Sequence, residues 1–395
     1  MALLLVVGYH ARLPEFHRGD LGVDVFFVLS GFLITTLIVA ERMATGSFSF
    51  RRFYARRFVR LFPAYFLVLL ACLGAAAVGG YAGTFRGAAL SFFYLANWGA
   101  ARGQGLGLLL HTWSLSIEEQ FYIVWPTAVL TLITLMRARI AALRLSISVL
   151  MIASYGGAVL LPTRGASLTW VTNATPTRAA MLLAGALLSV AILDLRGAQS
   201  AESARSARSA GSAQSARPTS SAQSARPTSS ASSASSASWW TPTVDIVGCM
   251  GLAAVLAVSM TPVATTWNLV GVIWPIVALG TTASVAAGVL APHGMLARIL
   301  SVGPMIAIGK RSYGVYLWHY PVFFVLDSEF QRLAAGQILS GLVLSFALAA
   351  LSYRFVEQPL IATFRQRRRP RRVAARTGRS TGATPLATSL TTPPS

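Results

Sequence analysis

Acidic side chains are scarce in this chain. Twelve Asp and Glu stand among 395 residues against 33 basic ones, giving a formal net charge of +21. Lysine is scarcer still, since Lys310 is the only one, so the positive charge is carried by arginine. Charged residues total 11%, where a soluble domain carries about 25%. With 54% hydrophobic residues and a mean hydropathy of +0.61, that shortage excludes an ordinary soluble globular chain. The two cysteines, Cys72 and Cys249, both lie in apolar runs, which excludes a disulfide framework or a cysteine metal site. No CxxC, HExxH, P-loop or GxGxxG is present, so no metal and no permanently bound cofactor is expected. A basic total can signal nucleic acid. Here the arginines gather between apolar runs, a pattern of membrane topology rather than of nucleic-acid binding.

Apolar stretches fill the rest. Eleven candidates run near Ala2–Ala11, Val23–Ala40, Pro63–Gly79, Gly87–Trp98, Ile117–Met136, Leu145–Leu161, Pro176–Leu193, Val244–Met260, Trp267–Leu290, Ser312–Leu326 and Gly336–Val356. Most approach the roughly 18–22 residues that cross a bilayer as a helix. The loop Glu41–Leu61 holds six arginines and is therefore cytoplasmic under the positive-inside rule. If Gly87–Trp98 lies flat or re-enters, the remaining basic loops (Arg137–Arg144, Arg196–Arg226, Arg298–Arg311) and the tail from Arg365 also fall in the cytoplasm. The expected fold is all-α: a polytopic transmembrane bundle of about ten spanning helices plus one short re-entrant or interfacial helix. Both termini are expected in the cytoplasm and the bundle in the plasma membrane.

Gln199–Ser238 is Ser/Ala-rich and contains SAQSARPTS twice in tandem. Such a segment has no apolar face to bury and predicts a disordered cytoplasmic linker. The chain thus divides into an N-terminal membrane half (1–194), a linker (195–240), a C-terminal half (241–364) and a basic, then Thr/Pro/Ser-rich, tail (365–395). The tail's arginines are placed to rest on anionic lipid.

Polar residues at membrane depth are costly and call for an explanation. Val7–Phe32 spends two of five histidines and three of twelve acids between two apolar runs. There His10 is either an interfacial histidine or a proton acceptor, and Asp24 opens the next run, which also holds Ser30. HTWSLSIEEQFYIVWP (His111–Pro126) crowds His111, Glu118, Glu119 and Gln120 at one helix start. Ser116 with Glu119 fits a capping box, which accounts for Glu119 but not for the others. In KRSYGVYLWHYPVFF (Lys310–Phe324), Tyr313, Tyr316 and Tyr320 share a helix face with His319. That face is either an aromatic belt or a site. FSFRRFYARRFVRLFPAY (Phe48–Tyr65) interleaves Arg51, Arg52, Arg56, Arg57 and Arg60 with aromatics. It is either a topological anchor or a polyphosphate cradle, since guanidinium forks suit phosphate oxygens.

Taken together, VGYH, GVDVFFVLSGFLIT, RRFYARRFVRLFPAY, HTWSLSIEEQFYIVWP, SYGVYLWHYP and YRFVEQP stand in the order and spacing of the acyltransferase-3 family of integral membrane acyltransferases. The resemblance covers about residues 1–365 apart from the linker. It implies transfer of an acyl group, usually acetyl from acetyl-CoA, to a hydroxyl of a glycan or a glycosylated metabolite. Acyl-CoA is then a co-substrate, and the partners are that donor, a hydroxyl-bearing glycan or glycoside, and membrane lipid. The resemblance implies His10 as base or nucleophile and Glu118 as the group that orients it or binds the acceptor. With such a donor, the five arginines are expected to hold its phosphates. Asp24, Ser30, His111, Glu119, Tyr313, Tyr316 and His319 would line the substrate route. Family members pair this histidine with an arginine eleven positions earlier, about 16 Å along a helix, which here would precede Met1. The expectation is a start upstream of Met1. Some relatives carry a C-terminal esterase-like domain, whereas this chain reads as a stand-alone membrane module. A transporter or flippase, or a non-catalytic relative, is the competing class. A two-half transporter tends to show matching broken helices, and the two halves share no motif.

Overall fold

The computed structural model describes residues 1–136, 139–215, 241–262, 265–327 and 334–367. Among these residues every regular element is helical and none is a strand. Lipid offers no partner for backbone N–H and C=O groups, and a helix satisfies both within its own segment. In chain order the α-helices are α1 (Ala2–His10), α2 (Gly22–Thr45), α3 (Phe50–Gly79), α4 (Thr84–Phe92), α5 (Ala96–Ala101), α6 (Thr112–Leu135), α7 (Ile140–Thr163), α8 (Leu168–Asn173), α9 (Thr175–Ser215), α10 (Thr241–Ser259), α11 (Trp274–Leu290), α12 (Met295–Leu300), α13 (Gly303–Leu326), α14 (Ala335–Ser352) and α15 (Gln358–Arg367). Two π-helical segments, Asn268–Ile273 and Tyr353–Glu357, lead into α11 and α15.

Seven helical stretches among the described residues are long and apolar enough to cross a membrane. The expected count of about ten is therefore not reached by length and composition. The shortfall has a physical cause. Helices α6 and α13 have 24 residues each, about 36 Å of helix, but they carry the His, Glu and Tyr residues singled out above. Nine-residue α1 spans only about 13 Å. The segment expected to lie flat or re-enter folds as α4 and α5, with nine and six residues, too short to cross. The Ser/Ala-rich segment expected to be disordered continues α9 as helix to Ser215, and residues 216–240 lie outside the described residues. The same holds for residues 368–395 of the tail.

Close helix contact rests on glycine. Helix α2 packs on α9 so tightly that a Cβ at Gly31 would run into the Leu182 carbonyl, and one at Gly185 into the Val28 carbonyl. Helices α10 and α11 meet the same way, Gly251 against Gly280. Small residues at crossings are how helices gain van der Waals contact in lipid, where no hydrophobic force drives them together.

Ion pairs tie the ends of the bundle. At one end Glu41 faces Arg52 and Arg56 at 3.9 and 3.8 Å, and Arg144 pairs with Asp194 at 3.0 Å. At the other, Arg12 pairs with Asp327, and Arg18 meets Asp20 at 2.7 Å. The arginines that open α3 and α7 thus lie at the end of the bundle away from His10.

Candidate functional site

The chain ends α1 at His10 and reverses immediately, with Arg12 in the left-handed region (φ 55°). This turn holds the His10 ring against α13. His10 Nδ1 lies 3.0 Å from the Val6 carbonyl and 3.2 Å from His319 Nε2. His319 is fully buried, and its Nδ1 faces the carbonyls of Tyr316 at 2.6 Å and Val315 at 3.2 Å. His111, at the N-cap of α6, completes a trio. Its ring stacks on Tyr320 at 5.0 Å and stands edge-on to His319 at 5.8 Å. Both His111 nitrogens are buried without a hydrogen-bond partner among the described residues. Tyr316 fixes the backbone here by donating to the His111 carbonyl at 3.0 Å and sharing a 2.5 Å hydrogen bond with Ser114 Oγ.

His10, His111, Tyr316 and Tyr320 line a cavity of about 770 Å³, and His319 stands behind His10. Tyr9, Trp113, Trp274, Arg178, Asn173, Arg18 and Asp20 line it as well. Aromatic faces with a few amide and charged groups suit a polar ligand that carries hydroxyls. Arg178 is buried beside Asp24, Nη2 to Oδ1 2.6 Å, and lies 4.5 Å from the Trp274 ring centre.

A second cluster sits deeper. Glu118 lies seven residues along α6 from His111, about 10 Å on. The Tyr122 hydroxyl hydrogen-bonds Ser30, and Glu118 stands one turn before Tyr122 on α6. The Arg57 guanidinium lies 3.3 Å above the Tyr122 ring, where the charges of Glu118 and Glu119 also reach it. Glu118, expected either to orient the His10 imidazole or to bind the acceptor, belongs to this cluster, and the side chain that meets His10 is His319. Ser116 is one turn inside α6 and donates to the Thr112 carbonyl at 3.0 Å. The capping box is therefore absent, because the helix starts earlier than Ser116, and Glu119 has no capping duty. Gln120 proves structural. It donates to the Tyr94 carbonyl and to Asn97 Oδ1 at 2.7 and 2.8 Å, and accepts from Thr175 at 2.5 Å.

A further cavity, of about 910 Å³, opens at the basic end. Arg56, Arg60, Lys310, Tyr313, Tyr353 and Glu357 line it, and the Tyr313 hydroxyl donates to the Leu61 carbonyl at 3.0 Å. The five arginines thus divide. All but Arg57 are exposed: Arg56 and Arg60 line this cavity, Arg51 and Arg52 are outside its lining, and Arg57 turns inward to Tyr122. Of the predicted route, His111, Tyr316 and His319 meet His10 at the first cavity, and Asp24 reaches it through Arg178. Ser30 and Glu119 join Glu118, and Tyr313 lies at the second cavity. Among the described residues no cluster of His, Cys, Asp or Glu is arranged to hold a metal ion.

Sequence reasoning missed Arg178, Trp113 and Trp274. Arg178 had a signal, being the only charged residue in the apolar run Pro176–Leu193. Nothing marks the two tryptophans until the helices are assembled.

Residues 1–354 match the family described as Acyltransferase domain. YrhL of Bacillus subtilis is similar at 31% identity over 373 residues, 91% of this chain and 53% of that protein. The peptidoglycan O-acetyltransferase OatA of Listeria monocytogenes is 27% identical over 395 residues, 91% of this chain and 54% of that protein. The O-acetyltransferase OatA of Staphylococcus aureus is 26% identical over 385 residues, covering 91% and 55%. The chain spans about half the length of these curated relatives. No solved structure matches.

Proposed function

The chain belongs to the Acyltransferase domain family, and from that membership we propose that it is a membrane O-acyltransferase moving an acetyl group from acetyl-CoA to a sugar hydroxyl. The observation that carries this reading is the meeting of His10, His111 and His319 at the wall of an aromatic-lined cavity, with a separate basic cavity at the other end of the bundle.

The basic end is assigned to the cytoplasm under the positive-inside rule, with α6 and α13 crossing beside the seven apolar stretches and α1 entering part-way. Arg56, Arg60 and Lys310 suit the phosphates of the donor. The pantetheine arm passes the cluster of Arg57, Glu118, Glu119 and Tyr122 and brings the thioester to the histidines. The acceptor sugar lies in the first cavity against Trp113 and Trp274. His10 Nε2 takes the proton of the acceptor hydroxyl as that oxygen attacks the thioester carbonyl. The C–O ester bond forms, the C–S bond breaks, and the proton passes to the departing thiolate. Tyr320 borders the place where the carbonyl oxygen gathers charge.

OatA of L. monocytogenes is named for peptidoglycan, which makes a peptidoglycan glycan the first acceptor to try. His10→Ala in the full chain abolishes transfer of labelled acetyl from acetyl-CoA to soluble peptidoglycan glycan fragments, while membrane insertion is retained. Undiminished labelling by that variant overturns the assignment of His10.

A further inference from the structure

We propose that His319 is a positioning residue that holds His10 in the tautomer whose Nε2 is free to accept a proton. The inference rests on the reading of His10 as the base.

The argument is one of hydrogen positions. His319 Nδ1 faces two backbone carbonyls, at 2.6 and 3.2 Å. A carbonyl only accepts, so Nδ1 carries the hydrogen. A neutral imidazole has one N–H, which leaves His319 Nε2 as an acceptor. That nitrogen lies 3.2 Å from His10 Nδ1. His10 Nδ1 therefore carries a hydrogen as well, shared between Val6 O at 3.0 Å and His319 Nε2. The lone pair of His10 is left on Nε2. No hydrogen bond to Nε2 from any described residue competes for it, and the ring lines the first cavity.

The same geometry serves the charged form. When Nε2 takes the acceptor's proton, the positive charge is shared with Nδ1–H, and His319 Nε2 faces it as an acceptor. The arrangement resembles a Ser-His-Asp triad, with a neutral imidazole in place of the orienting carboxylate. His319 is fully buried, and its Nδ1 is tied to its own helix, so the ring cannot turn an N–H toward His10 without breaking the bond to Tyr316. Among the described residues no carboxylate hydrogen-bonds His10: Glu118 lies about 10 Å along α6 from His111, and Asp20 is bound to Arg18 at 2.7 and 2.9 Å. His111 sits 5.8 Å from His319 and does not enter the chain of bonds.

The test uses the full chain in lipid nanodiscs with 15N-labelled histidine, and reads the side-chain nitrogen shifts of His10 assigned against His10→Ala. The wild type shows a protonated Nδ1 and an unprotonated Nε2. In His319→Ala the His10 signals move toward a mixture of both tautomers. The kcat for transfer from acetyl-CoA to peptidoglycan glycan fragments falls by about 10²-fold, the low end of what a positioned base contributes, with little change in either KM. In His319→Gln the side-chain oxygen can accept from Nδ1–H, so the wild-type tautomer and much of the rate return. An unchanged His10 tautomer in His319→Ala overturns the proposal, because Val6 alone would then suffice. A lost rate with a restored tautomer in His319→Gln also overturns it. The reading of His10 as base fails by a different result, transfer surviving in His10→Ala, and the nitrogen shifts are independent of that outcome.

Discussion

Arg178 and Asp24 form an ion pair that is closed off from solvent on both sides, with Nη2 and Oδ1 2.6 Å apart and the two side chains 5% and 1% exposed. The pair links α9 to α2 where those helices touch through glycine, and the arginine's other face lies among Trp274, Trp113 and Phe27. Little of the arginine is open to solvent, even where it borders the first cavity. Its cost is met only while the carboxylate stays ionised opposite it.

Asp24→Asn should therefore destabilise the protein by about 3–5 kcal/mol, as expected when one partner of a buried pair is removed. Arg178→Met should cost a comparable amount. The double variant Asp24→Leu, Arg178→Met should recover most of the loss, because it leaves no charge uncompensated. Thermal unfolding in detergent, run as a double-mutant cycle, measures the coupling. Additive losses would mean that the two charges are not a unit.

Much of the site was visible in the sequence as separate pieces. His10, His111 and His319 stood out because each interrupts or ends an apolar run, and the spacing of Tyr313, Tyr316 and Tyr320 announced a phenolic helix face. Their meeting was not visible, since it depends on how α1, α6 and α13 cross, and no local pattern encodes that. Arg178 went unnoticed because a single charge is averaged away in a hydropathy window, and its partner Asp24 sits on another helix. Ser116 with Glu119 misled for a different reason. The S-x-x-E pattern also arises inside a helix, where the hydroxyl bonds back to the carbonyl four residues earlier. The count of spans suffered from the opposite effect: the polar residues that make α6 and α13 interesting also lower their hydropathy.

The glycine crossings give a prediction about assembly rather than chemistry. Gly185→Val places side-chain atoms where the Val28 carbonyl and the Phe32 amide of α2 lie. Neither backbone group can yield without displacing the helix. A loss of about 1–3 kcal/mol is the ordinary range for overpacking, and the upper end is expected here. Gly157→Ala on α7 has nothing within 4 Å of the added carbon. It should be neutral or gain about 0.5–1 kcal/mol from helix propensity. Melting temperatures of the two variants in the same detergent should move apart. Equal melting temperatures would count against tight α2–α9 packing.

The division of the basic segment gives the sharpest test of the donor side. Arg56 and Arg60 line the cavity at the basic end, together with Lys310, while Arg51 and Arg52 are outside its lining. If the cavity takes the phosphates of acetyl-CoA, Arg56→Gln with Arg60→Gln removes two charge-assisted contacts at about 1.5–3 kcal/mol each in full, less where solvent screens them. The KM for acetyl-CoA should then rise by at least about tenfold, which 1.4 kcal/mol suffices to produce. The KM for the acceptor should stay near wild type, because the first cavity is untouched. Arg51→Gln with Arg52→Gln removes the same formal charge and should leave both constants nearly unchanged. Arg57→Gln is a third case. It strips the cation from the Tyr122 ring and from the two glutamates, so it should lower kcat and stability more than it raises the donor KM. If the Arg51/Arg52 and Arg56/Arg60 pairs shift the donor KM equally, the arginines act through their summed charge at the membrane surface, and the cavity has no special claim on the nucleotide.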